Sequence, residues 1–107
     1  MRYLPIHIDT KDVTLRVIGG GEAAEAKLRT LIKTEARLEV VSDSISAEIS
    51  RWAEDGRLIW IQKAFDISDL DGARLVYAAT EDDALNAEIA AAAQERGALA
   101  NAADQKS

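Results

Sequence analysis

The chain has 107 residues, 48% of them hydrophobic and 30% charged, which is enough for one packed core and too little for two domains. Nineteen Asp and Glu against thirteen Lys and Arg leave a formal net charge of -6, which argues against a protein that holds nucleic acid through clustered cations. With no cysteine and a single histidine, a disulfide framework, a cysteine-based zinc or iron–sulfur site and a histidine-rich metal cage are all excluded, so no metal site is expected.

No stretch approaches the roughly 20 apolar residues of a membrane span, and the opening MRYLPIHIDTKD lacks the apolar run of about 7–15 residues of a signal peptide. The expectation is a cytoplasmic protein without membrane contact. One proline and six glycines, with no internal repeat, leave no room for a long linker.

In chain order, Val13 to Ile18 is a short β-branched run stopped by Gly19-Gly20-Gly21, a strand entering a glycine turn. From Ala23 onward, Ala24, Leu28, Leu31 and Ile32 give the stripe of a helix that buries one face. Leu38 to Val41 is a second strand. Ile45, Ile49, Trp52 and Ala53 mark a second helix, capped by Ser44 or Ser46 and ending near Gly56. Leu58 to Ile61 is a third strand, and a polar connection, Ser68 to Gly72, leads to a fourth, Ala73 to Ala79. Thr80 then caps a helix with an acidic first turn, Glu81-Asp82-Asp83, a stripe of Leu85, Ile89, Ala92 and Ala93, and an end at Arg96-Gly97. Leu99 to Ala103 is a weaker fifth strand. Strands separated by helical crossovers run parallel, and right-handed crossovers predict a three-layer, doubly wound α/β sheet in the order 3-2-1-4-5. Arg16 is awkward there, because a central parallel strand is covered on both faces.

Gly19 to Ala24 fits G-x-G-x-x-A between a strand and a helix, the dinucleotide fingerprint of a Rossmann-like fold. Gly19 permits the tight turn, Gly21 lets backbone approach a pyrophosphate, and Ala24 lets helix and strand pack closely. The same glycines also suit a tight turn in an α/β domain that binds nothing. A dinucleotide site wants a carboxylate about 20 residues on, at the end of the second strand, to hold a ribose hydroxyl. Asp43 stands there, and its charge favours NAD over NADP; a solvated turn aspartate is the plainer alternative. Thr80, at the end of the fourth strand, is a cap or a ligand contact. Trp52 and Trp60 are in phase with core positions, and His7 is assigned no role.

Together these residues resemble the N-terminal domain of siroheme synthase, the precorrin-2 dehydrogenase/sirohydrochlorin ferrochelatase family. The resemblance runs through YLP at Tyr3 to Pro5, VIGGGEAAEAK at Val17 to Lys27, ARLEVV after the first helix, DGARLVYAAT at Asp71 to Thr80, EDDALN at Glu81 to Asn86 and GALANAAD at Gly97 to Asp104. It implies that residues 1–107 form an NAD-binding Rossmann domain for oxidation of precorrin-2 to sirohydrochlorin, with ferrochelatase activity in some members. Cofactor-holding positions carry over to Glu22, Ala23, Asp43 and Ser44 beside Gly19, Gly21 and Thr80, and a catalytic acid/base to Asp104. Ala23 and Ala26 replace the family's valine and arginine, while Lys27 is kept. The family continues into dimerisation and helical chelatase segments that are absent from these 107 residues, implying a homodimer for the longer protein and an isolated chain that does not turn over its tetrapyrrole. A non-catalytic Rossmann module for nucleotide binding or protein interaction is the alternative.

Overall fold

A computed structural model gives the fold and describes residues 13–103. His7, Tyr3 to Pro5 and Asp104 lie outside the described residues. The elements are β1 (Thr14–Ile18), α1 (Glu22–Leu31), β2 (Arg37–Ser42), α2 (Ala47–Glu54), β3 (Ile59–Gln62), a 3₁₀ turn (Ile67–Leu70), β4 (Leu75–Ala78), α3 (Asp83–Glu95) and β5 (Leu99–Ala102). All four strand pairings are parallel, and the sheet order is the expected β3-β2-β1-β4-β5.

The alternation of side chains along the strands divides the core in two. Leu15, Val17, Leu38 and Val40 pack with Ala24 and Leu28 of α1 and Ile49 and Trp52 of α2. Ile18, Val41, Val76 and Ala78 face the other way, onto Leu70 and onto Ile89 and Ala93 of α3. Leu28, Ile49 and Ile89 are fully enclosed, and burying each such side chain contributes about 1.5–3 kcal/mol. Trp52 is a core residue, as expected. Trp60 is half-buried on β3 against the first cluster, with its indole Nε1 donating to Ser42 O at 2.9 Å.

Three local expectations are corrected. Thr80 does not cap α3: Asp82 does, its side chain accepting from Leu85 N at 3.1 Å, and the helix begins only at Asp83. Ile45 precedes α2, which Ser46 caps by accepting from Ile49 N at 3.3 Å. Part of the polar connection is the 3₁₀ turn, closed by a capping box between Asp66 and Asp69. Leu70 drops from it into the core.

Candidate functional site

β1 has β2 on one side and β4 on the other, so the chain reverses its direction of travel across the sheet at β1. Open α/β sheets bind ligands in the crevice beyond the carboxyl ends of the strands at such a switch point. A cavity of about 370 Å³ lies there, lined by the glycine turn at residues 19–21, by residues 41–44, by Ala64 and Phe65, and by residues 79–81. Its size falls in the range of cofactor clefts, about 300–1,000 Å³.

The turn is fixed by its neighbours. Gly19 has φ +129°, and a Cβ there would come 2.7 Å from the carbonyl carbon of Ala79. Its N–H donates to Val41 O at 3.0 Å, while Ala79 N–H donates to Ile18 O at 2.8 Å, so the ends of β2, β1 and β4 are tied together. Gly20 is equally constrained: a Cβ would press on the backbone carbonyl of Ser44 and lie 2.6 Å from Ser42 Oγ. Gly20 O also accepts from Ser46 N at 2.9 Å, which brings the start of α2 against the turn. The middle glycine is therefore required by packing, a demand that the G-x-G pattern leaves unspecified.

Gly21 differs. It is the N-cap of α1, in extended conformation, and a Cβ there would meet only the Glu81 side chain, with Oε2 at 2.7 Å. Like any helix start, the first turn of α1 presents backbone N–H groups without intrahelical partners toward this end of the molecule. The acidic Glu25 one turn on is engaged by Ser46 Oγ at 2.7 Å and by Arg29 at 2.7 Å.

The opposite wall, residues 79–81, is braced by a residue that the sequence marked only as the end of the EDDALN match, with no role in the site. Asn86 of α3 is completely buried. Its Oδ1 accepts from Thr80 N at 2.8 Å and from Thr80 Oγ1 at 2.7 Å, and its Nδ2 donates to Thr80 O at 3.1 Å. Thr80 Oγ1 in turn accepts from Asp82 N at 3.1 Å. The available signal was phase: Asn86 shares the stripe of Ile89 and Ala93, and an amide on an apolar stripe needs a buried partner.

Of the expected cofactor positions, Gly19, Gly21, Asp43, Ser44 and Thr80 line the cavity together, and Glu22 and Ala23 fall outside its lining. Asp43 and Ser44 are exposed on the loop leaving β2, with Ser44 N donating to Ser42 Oγ at 3.1 Å. Asp104 is not among the described residues. No cluster of three or more potential metal ligands occurs among the described residues.

A family model described as "Putative NAD(P)-binding" matches residues 6–107. The chain belongs to this NAD(P)-binding family. It is 40% identical over 106 residues to siroheme synthase 1 of Serratia proteamaculans, covering 99% of this chain and 22% of that protein. The corresponding protein of Yersinia enterocolitica is 42% identical over the same length, with the same coverage. Among solved structures, SirC, a precorrin-2 dehydrogenase, superposes with a TM-score of 0.76 at 26% identity, covering 92% of this chain and 48% of that one. The chain thus spans about a fifth of the siroheme synthases it matches. The glycine turn fits the cofactor class of the family: the Gly21 approach is blocked by no backbone atom, and the Asp43 loop lines the adjoining cleft. Among the described residues no helix is long and apolar enough to cross a membrane.

Proposed function

We propose that this chain is the NAD-binding domain of a precorrin-2 dehydrogenase in siroheme biosynthesis. The observation that carries the reading is the glycine turn at the switch point, with Asp43 facing the same cavity from the end of β2. In this reading Gly19 and Gly21 admit the pyrophosphate, the N–H groups of Glu22 and Ala23 receive it at the start of α1, and Asp43 and Ser44 hold the adenosine ribose. Thr80 closes the far wall. NAD bound there supplies a hydride acceptor for oxidation of precorrin-2 to sirohydrochlorin.

The cavity lining contains no lysine or arginine. This cavity therefore takes the dinucleotide, and the carboxylates of the tetrapyrrole are received elsewhere in the longer protein, where cations can neutralise them. Asp104 is assigned the acid/base role, which requires its carboxylate within hydrogen-bond reach of the tetrapyrrole. A cytoplasmic homodimer is the assembly this reading assigns to the full-length protein.

Calorimetric titration of the chain with NAD tests the cofactor half, and absence of binding refutes it. NADH formation from precorrin-2 by the full-length protein tests the other half. A full-length protein that binds NAD but leaves precorrin-2 unchanged would be a nucleotide-binding module instead.

A further inference from the structure

In a G-x-G turn the pyrophosphate approaches the second glycine from the side on which a side chain would project. At Gly21 that space is taken by the Glu81 carboxylate, whose Oε2 lies 2.7 Å from the position a Cβ would occupy and whose Cδ lies 3.7 Å from it. Glu81 is exposed and belongs to the cavity lining. Among the described residues no hydrogen bond or ion pair ties down its side chain, in contrast to Glu25 and Glu39, each held by at least one arginine. A carboxylate at this place sits by the positive end of α1, the location that favours an anion.

From this we infer that Glu81 occupies the pyrophosphate seat and sets the affinity of the cavity for phosphate-bearing ligands. The inference rests on the cofactor reading above and adds a residue to it. A phosphate group cannot share the seat with a carboxylate: Glu81 must swing into solvent before the ligand can settle on Gly21, and afterwards it remains a nearby like charge. Both effects oppose binding, and both scale with the charge of the ligand at that point. Asp43, the other carboxylate of the lining, stands on the far side of the turn, on the loop after β2. Removing the Glu81 charge strengthens binding of anything with a phosphate there and leaves the nucleoside part untouched.

The test is calorimetric titration of the parent chain and Glu81→Gln with NAD, inorganic pyrophosphate and adenosine, at low salt and at about 0.5 M NaCl. Glu81→Gln is expected to bind NAD and pyrophosphate about tenfold more tightly at low salt, as removal of a close, solvent-exposed like charge implies. The gap is expected to narrow at high salt, and adenosine is expected to bind both proteins equally. Unchanged or weaker pyrophosphate binding by the variant overturns the inference. So does equal tightening of adenosine, which would mean that the substitution merely loosened the cleft. Pyrophosphate tightening without NAD binding by either protein would uphold the role of Glu81 and refute the cofactor reading alone.

Discussion

Arg16 and Glu39 stand opposite each other in the register of β1 and β2, and the arginine joins the sheet to the 3₁₀ turn. Its Nε and Nη2 donate to Glu39 Oε1 at 2.9 and 2.6 Å, and its Nη1 donates to the carbonyls of Asp69 and Asp71 at 2.6 and 2.9 Å. Arg37 reaches the other carboxylate oxygen at 3.1 Å. A charge in a central strand is thus matched atom by atom, and no side-chain polar atom buried among the described residues is left without a partner.

Breaking that pair should destabilise the fold. Burial pushes the Glu39 carboxyl up, but the hydrogen bonds and charges of Arg16 and Arg37 outweigh it and hold the group below its ordinary value of 4.5. A depressed carboxyl contributes stability that is fully present above the ordinary value and is lost as pH falls through the lowered one. Urea unfolding of Glu39→Gln should therefore show a shallower loss of stability than the parent between about pH 5 and pH 3. Arg16→Met should cost about 2–4 kcal/mol at neutral pH, because it leaves the buried Glu39 carboxylate with only the exposed Arg37 and takes the donor from the Asp69 and Asp71 carbonyls. Equal acid sensitivity of Glu39→Gln and the parent would show that the pair is not linked to folding.

The glycines should separate stability from binding. Gly19→Ala and Gly20→Ala push a Cβ onto backbone of the neighbouring strand ends, and each should cost about 2 kcal/mol or more in chemical denaturation. Gly21→Ala displaces only the free end of Glu81; its stability should stay within about 1 kcal/mol of the parent. NAD affinity should nevertheless fall in Gly21→Ala, since the new methyl stands where the pyrophosphate approaches. A Gly21→Ala protein as unstable as Gly20→Ala would place the constraint on the wrong glycine.

The sheet order and the glycine turn were legible because the strands are short, mostly apolar runs and each helix carries an apolar stripe, and the crossover rule leaves few ways to connect them. What sequence missed depends on side-chain contacts and on elements too short to show a pattern. The partner of Arg16 lies on another strand, 23 residues away, and only the register reveals it. Thr80 and Asp82 are both good cap residues, and local pattern does not decide between them; Asn86 does, because by engaging Thr80 on three atoms it leaves the cap to Asp82. The 3₁₀ turn has four residues, too few for any periodicity to appear.

Asn86→Ala should damage both the fold and the site. It removes a fully buried amide together with its three hydrogen bonds to Thr80, which should cost about 2–4 kcal/mol. The wall formed by residues 79–81 should loosen with it, so NAD affinity measured well below the melting temperature should fall too. Asn86→Asp keeps the size and the acceptor but loses the donor to Thr80 O, and burying a carboxylate there adds a desolvation cost. It should be no more stable than Asn86→Ala at neutral pH and should recover as the pH is lowered and the carboxyl is protonated. Stability of either variant equal to that of the parent would remove Asn86 from the account of the site.

Cofactor choice should rest on Asp43. The residue lies on the loop leaving β2 and lines the cavity beside the glycine turn, where a carboxylate can accept from the hydroxyls of the adenosine ribose. NADP carries a phosphate on one of those hydroxyls, and a carboxylate at that distance repels it while losing the hydrogen bond. The parent chain should therefore bind NAD more tightly than NADP. Asp43→Ala should lose about 1.5–3 kcal/mol of NAD affinity, the range for a hydrogen bond to a charged group, while NADP affinity stays level or rises. Asp43→Asn retains an acceptor without the charge, so it should keep part of the NAD affinity and narrow the preference over NADP. Parallel titrations of the three proteins with both cofactors decide the matter. Equal affinity of the parent for NAD and NADP would remove Asp43 from the ribose, and an NAD affinity unchanged in Asp43→Ala would leave it a solvated loop residue.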